Sequence, residues 1–466
     1  MEPLLPFPVA PVSNGEWCPL PITEIQRLAA RRIVEETARR ARRLGMTRAR
    51  FLRTAAGTAT AFMVLSEVWG RDTWGDAAVL PVRREHCDDP AAGRELLDRK
   101  YFVMDVQTHH VDLNLPNPEQ WCGLRFLETQ LSCAERAQHL GQLNFVKELF
   151  VDSETDVGVI SGVPAGILLG PDGMAATRDF VNGLAGSERA LSQVVCDPTF
   201  PASAPTSIAN IERQVKELGG KALKCYTYSG AWWLDSDVGS RMIDEARRHG
   251  IRLVNVHKGL PNQLVQHSEE YVRTTDIPGA VRQFPDMKFC AYHSGYFQTA
   301  AENSEFLSIL AQMSKKERRR VYAEIGSSFA ITLLFGGPDG AAHFIGRLLK
   351  ILGPRNILWG TDAIWWGSPQ FLIDAFKTMQ IPGDLREKYG YPQLTEKVKR
   401  RILGLNAAKL YGVDPRERRC TLAADRLAQV QAEQGGHRAG RTFRTYGPRT
   451  RREFLAFWRR EQAARG

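Results

Sequence analysis

The chain has 466 residues, 43% hydrophobic and 24% charged, with a formal net charge of +10. That is the composition of a globular protein, long enough for a large barrel with extensions, and it excludes a collagenous or wholly disordered chain. No apolar run reaches the roughly 18 residues of a transmembrane helix. The positive charge collects at one end: from Asp414 to Gly466 there are 13 Arg against 6 Asp or Glu. The rest is nearly balanced, so no nucleic-acid partner is expected. The cysteines (Cys18, Cys87, Cys122, Cys133, Cys196, Cys225, Cys290 and Cys420) form no CxxC pair. Cys225 and Cys290 sit in apolar runs that suit buried free thiols, and a chain of this size needs no disulfide framework.

Residues 1–100 read as an N-terminal extension. Ile25–Leu44 has apolar residues at three- and four-residue steps and should be an amphipathic helix. Thr47-Arg-Ala-Arg-Phe-Leu-Arg53, followed by the mildly apolar Thr54–Leu65, is similar to a twin-arginine export signal in which Ala49 replaces the second Arg. A long charged stretch precedes it and no clear cleavage site follows. Cytoplasmic residence is the slightly favoured expectation and export to the periplasm the alternative.

From Tyr101 short apolar runs alternate with helical patterns. The expected strands are Phe102–Gln107, Asp156–Val163, Ala190–Asp197, Ala222–Tyr226, Arg252–His257, Lys288–His293, Val321–Ile325 and Asn356–Asp362. Strands alternating with helices argue for a parallel sheet, and eight such units for a (β/α)8 TIM barrel spanning residues 101–413. An open doubly wound sheet is the runner-up. The absence of a glycine-rich loop after the first strand counts against its nucleotide-binding version. The segment from Val111 to about Gln138 should be a loop over the strand ends, and residues 414–466 a basic C-terminal arm.

Barrel enzymes take their catalytic groups from the C-terminal ends of several strands. His109 lies just past the first strand, His257 ends the fifth, His293 the sixth and Asp362 the eighth, each closing an apolar run. One such histidine would be an ordinary capped core residue. Four in this order, each at a strand exit, point to a site. His86, His139, His249, His267, His343 and His437 fall in helices, loops or extensions and read as structural or solvent-facing.

The motifs Met104-Asp-Val-Gln-Thr-His-His110, Ala222-Leu-Lys-Cys-Tyr226, Val256-His-Lys258, Phe284–His293, Ile357-Leu-Trp-Gly-Thr-Asp362 and Asn406–Gly412 together resemble the amidohydrolase superfamily. The likeness is to its amidohydrolase-related branch, which includes aminocarboxymuconate semialdehyde decarboxylase and related hydrolases. The resemblance implies a divalent metal at the barrel mouth, with His109, His257 and Asp362 as ligands and His293 facing the substrate. Zinc is the first expectation, manganese and iron the others. The sequence departs from the family where a first-strand His should stand: Gln107 is there, and an amide oxygen is a poorer zinc ligand than imidazole. A metal-free site is therefore the alternative. His110 is a substitute ligand, but adjacent strand residues face opposite ways, and His109 is preferred.

Lys224 closes the fourth strand and is expected to anchor a substrate carboxylate, with an ion pair to Glu324 as the bland alternative. Trp365 and Tyr226 are expected to line a pocket for a flat substrate, with loop packing as the alternative. The resemblance implies hydrolysis of a small, acidic or aromatic amide, lactone or ester, with Asp362 as general base and His293 stabilising charge on the carbonyl oxygen. Non-oxidative decarboxylation is the alternative within the branch, and an inactive barrel serving as a binding or scaffold protein the alternative outside it. A homodimer is the expected assembly, and a small molecule the expected partner.

Overall fold

The computed structural model describes residues 4–9, 18–19, 21–112, 139–166, 168–262, 265–297, 303–422, 424–440, 450–456 and 459. The loop expected over the strand ends lies mostly outside the described residues, as do Cys122, Cys133 and most of the chain after residue 440. Among the described residues, parallel strands follow the expected order: β1 (Met104–Thr108), β2 (Val157–Ile160), β3 in two runs (Ala190–Ser192 and Val194–Val195), β4 (Leu223–Cys225), β5 (Leu253–Gly259), β6 (Lys288–Tyr296), β7 (Val321–Glu324) and β8 (Ile357–Leu358).

The strands close into a barrel. At the break in β3, Gln193 N donates to Ile160 O at 3.1 Å and Val194 N donates to Ala222 O at 2.8 Å, so consecutive amides serve opposite neighbours. The far edges meet where Val106 N donates to Trp359 O at 3.1 Å and Asp362 N to Gln107 O at 3.0 Å. A parallel bridge pairs Thr108 with Ala363. The fold is a (β/α)8 barrel. The register slips between Asp105 and Thr108 in β1 and between His257 and Gly259 in β5. Such irregularities re-aim side chains, and both fall where histidines leave the sheet.

Between strands run helices such as Pro171–Ala185, Asp237–Arg248 and Gly337–Leu352. Gly326–Phe335, after β7, is buried along Gly326–Leu334.

The N-terminal extension packs into the same core. Helix Glu24–Arg43 opens with a capping box between Thr23 and Gln26, and Gln26 Nε2 reaches Leu334 O at 2.9 Å. Helix Ala55–Val68 is buried from Ala55 to Ser66. Phe7, Ile33 and Phe62 share one apolar cluster with Ile345 and Phe371. None of the described helices is long and apolar enough to cross a membrane.

Residues 415–440, read from charge alone as part of a surface arm, dock onto the barrel. Arg189 meets Asp425 in a buried two-pronged pair, Nε to Oδ2 at 2.6 Å and Nη2 to Oδ1 at 3.2 Å. Arg438 Nη2 lies 2.8 Å from Asp374 Oδ1 and 3.0 Å from Asp98 Oδ1. A charge count cannot tell which arginines of a basic tail have carboxylates waiting for them in the folded barrel.

Candidate active site

His109, His257, His293 and Asp362 converge on the C-terminal end of the barrel, and all are buried. His293 and Asp362 leave their strands with φ of 64° and 60°, the left-handed region that L-residues with side chains avoid. Surrounding bonds hold them there. Glu324 Oε2 accepts from His293 N at 2.9 Å, and Ser328 Oγ donates to His293 O at 2.8 Å. Glu324 also accepts from Gly326 N. Burial pushes the Glu324 carboxyl up to about 8 against these backbone donors.

Asp362 is the hub. Its Oδ2 accepts from Ser327 Oγ at 2.6 Å. Its Oδ1 accepts from Gln107 Nε2 at 3.0 Å and faces His109 Nε2 at 3.2 Å. Burial alone would raise this carboxyl. The His109 hydrogen bond and the nearby histidine and serine groups outweigh it and hold Asp362 below the usual carboxylate range.

The second nitrogen of His109, Nδ1, lies 2.8 Å from Ser161 O. A carbonyl only accepts, so Nδ1 carries hydrogen there, and a neutral His109 turns the Nε2 lone pair toward Asp362 Oδ1. Two lone-pair bearers 3.2 Å apart require a positive charge between them, either a proton on Nε2 or a metal cation. Beside them Gln107 Oε1 is buried with no hydrogen-bond partner among the described residues, an orphan acceptor that a cation would satisfy. His109, Asp362 and the Gln107 carboxamide therefore fit a cation.

His257 stands further off. Its Nε2 lies 3.1 Å from Leu260 O, and its ring packs on the His293 ring with centroids 4.5 Å apart. Among the described residues, the only three His, Cys, Asp or Glu side chains whose ligand atoms all lie within 4.8 Å of one another are Asp98, Glu154 and His437. His109, His257 and Asp362 thus form no ready cluster of that tightness. Asp98, Glu154 and His437 lie away from the mouth, where Glu154 bonds Lys377 and Gln370 and Asp98 bonds Arg438. Burial pushes His293 down to about 4 and His257 well below the ordinary histidine value, so both rings are neutral at neutral pH.

His110 points outward, with Nε2 2.8 Å from Thr177 Oγ1 on helix Pro171–Ala185. Lys224 is fully buried, its Nζ 3.8 Å from the centre of the Tyr292 ring and 4.6 Å from that of Tyr226. Tyr226 Oη donates to Gly162 O at 2.7 Å. Trp365 stacks on His109, with centroids 6.0 Å apart and planes at 23°. Ser327, to which the Trp366 indole donates at 3.0 Å, was not among the sequence candidates. The available signal was a Ser-Ser pair just past a strand end.

A family model described as Amidohydrolase matches residues 183–413, which include β4 to β8 and the strand exits bearing His257, His293 and Asp362. Over that stretch, just under half of its length, the chain matches the amidohydrolase family. No curated protein matches it. Among solved structures the chain is similar to 5-carboxyvanillate decarboxylase LigW from Sphingomonas paucimobilis, at 15% identity over 68% of this chain and 100% of that one, with a TM-score of 0.44. It is similar to 5-carboxyvanillate decarboxylase from Novosphingobium aromaticivorans with bound manganese, at 11% identity over 67% and 97%, TM-score 0.45. It is also similar to a probable 2-pyrone-4,6-dicarboxylic acid hydrolase from Acinetobacter baumannii, at 12% identity over 66% and 99%, TM-score 0.42.

Proposed function

We propose that this chain hydrolyses an ester, lactone or amide bond in a small acidic or aromatic substrate. The observation that carries the reading is Asp362: a buried carboxylate at the mouth of the barrel, kept ionised by His109, Ser327 and Gln107. A desolvated anion whose hydrogen-bond donors are already fixed can take the proton of an attacking water and pass it to the leaving group. Neutral His293, beside Gln107 at 3.4 Å, stands where an imidazole N–H can stabilise charge on the carbonyl oxygen.

His109 Nε2, Asp362 Oδ1 and the Gln107 carboxamide would hold a divalent cation, with His257 as a more distant fourth group. A cation held there supplies Lewis acidity toward a substrate oxygen. The oxygen-rich set suits manganese as well as zinc. Lys224 inside the barrel attracts an acidic substrate group, and Trp365, flat against His109, offers a wall to an aromatic one. Phe51 and Leu52 are buried and Ala55–Val68 is a core helix. This supports reading residues 47–65 as part of the fold and a cytoplasmic location.

The test is turnover in ¹⁸O-labelled water of a panel of dicarboxylate lactones, aryl esters, aryl amides and hydroxybenzoates, with Asp362→Asn as control. Label in the new carboxylate, lost in the variant, supports hydrolysis. Carbon dioxide release without label replaces it by decarboxylation. Failure to turn over any of the panel, with tight binding of one compound, favours the scaffold reading.

A further inference from the structure

The opposite, N-terminal end of the barrel carries a cavity of about 700 Å³ lined by Lys288, Arg319, Arg355, Arg401, Lys409 and Tyr322, among others. Lys288 opens β6, Arg319 lies just before β7, Arg355 just before β8, and Arg401 and Lys409 belong to the helical stretch 396–411. No Asp or Glu lines it. Among the described residues none of these five cations has a carboxylate partner, whereas arginines elsewhere on the surface, such as Arg213, Arg247 and Arg282, meet one within 3.1 Å. Five like charges gathered round one concavity without counterions repel one another, a cost that a bound anion removes.

The walls are fixed in advance. Asn356 Nδ2 donates to Val321 O at 2.8 Å and to Arg319 O at 3.1 Å. Asn406 Nδ2 donates to Pro354 O and Ile357 O, both at 2.8 Å. These two buried amides tie together the segments carrying Arg319, Arg355, Arg401 and Lys409. The volume lies in the range of small-ligand sites. The cations converge on a concavity; they do not run in a stripe as they would along a nucleic-acid backbone. Leu405, Leu410 and the Tyr322 ring add apolar wall.

We infer that this cavity is a binding site for a small phosphate polyanion, of the class of a nucleoside di- or triphosphate, separate from the catalytic mouth. Arginine forks match phosphate oxygens in pairs. Several negative charges are needed to balance five positive ones, and the tyrosine ring and leucines offer a surface to a base.

The experiment is isothermal titration calorimetry on the full chain with inorganic tripolyphosphate, ADP and a 20-nucleotide single-stranded RNA, in low and in physiological salt. The variants are Arg355→Ala/Arg401→Ala and, as a control away from the cavity, Arg247→Ala. The expected result is saturable one-to-one binding of tripolyphosphate and ADP, weakened by about tenfold or more in the double variant and unchanged in the control. Circular dichroism and the thermal midpoint establish that the double variant is folded; if it is not, Lys409→Ala replaces it under the same criterion. The inference is overturned if neither phosphate compound saturates, if the cavity variant binds as the parent does, or if the RNA binds more tightly and loses its binding in the same variant.

Discussion

Ser327 Oγ donates to Asp362 Oδ2 at 2.6 Å while accepting the Trp366 indole N–H at 3.0 Å. The hydroxyl hydrogen is thereby aimed at the carboxylate, because the indole occupies one of its lone pairs. Asp362→Asn removes the charge but keeps the shape, and turnover should fall by about 10²–10⁴-fold, the usual worth of a positioned general base.

Ser327→Ala makes a finer test. A hydrogen bond to a charged group is worth about 1.5–3 kcal/mol, so its loss should raise the Asp362 pKa by roughly 1 pH unit or more. In the proposed reaction the carboxylate is the active form, so the acid limb of the pH–rate profile should move to higher pH. A variant with lower turnover but an unmoved limb would show that Ser327 serves packing alone.

The strand exits were legible because a polar residue closing an apolar run is a local pattern, and eight strands in order locate the mouth. His109, His257, His293 and Asp362 were found that way. Their relative distances were not, since β1, β5 and β8 are brought together only by closure of the barrel, and the register slip beside His257 re-aims a side chain that simple alternation would place. Helix Gly326–Phe335 is buried along Gly326–Leu334, serines included, so it has no solvent face and no polar–apolar period of 3.6 residues to read. The basic cavity was hidden for a related reason: its cations come from separate stretches of chain between residues 288 and 409.

The pair between Arg189 and Asp425 anchors the C-terminal segment, with both side chains buried. Removing one partner of a buried pair leaves the other charged and unsatisfied, which costs about 3–5 kcal/mol. Asp425→Ala should therefore lower the urea midpoint by that equivalent. Arg189→Met/Asp425→Leu should recover much of the loss, since it leaves no buried charge behind. Equal losses in the two would mean that the segment is held by something other than this charge pair.

His437 predicts a pH dependence. Burial, with Arg438 beside it, pushes its pKa down to about 3, and its side chain is only 14% exposed. The unfolded chain protonates near the ordinary value of about 6.5. Between these values the unfolded state binds a proton that the folded state refuses, so stability falls as pH drops from about 6.5 toward 3 and is unaffected above 7. At pH 5 the contribution is a loss of about 2 kcal/mol. Urea denaturation at pH 7.5 and pH 5 should show a smaller drop for His437→Gln than for the parent by that amount. Parallel profiles would remove His437 as the cause.

A reporter fused after Gly70 tests the reading of residues 47–65. Gly57 sits so close to Phe51 that an added Cβ would stand 2.4 Å from its carbonyl oxygen, tight packing within a folded element. The reporter should stay in the cytoplasm whether Arg48 and Phe51 are intact or replaced. Export that depends on those two residues would reinstate the twin-arginine reading.

Gln107 offers the sharpest test of the mouth. Its carboxamide nitrogen bonds Asp362 Oδ1 and its oxygen is buried without a partner among the described residues, so the side chain already stands where a fourth donor would. Gln107→His replaces an amide by an imidazole, a better match to zinc and its neighbours. Metal affinity should rise on the order of tenfold, the scale on which residues around a metal act. Turnover should stay level or fall, because a catalytic metal needs an open position for substrate or water and an added imidazole takes one up. The measurement is chelator competition on parent and variant with zinc and with manganese, beside activity on the substrate identified by the ¹⁸O panel. A variant that binds metal no better than a metal-binding parent would mean that the side chain at position 107 does not reach the cation; metal bound by neither protein would mean that the His109–Asp362 edge is bridged by a proton on Nε2.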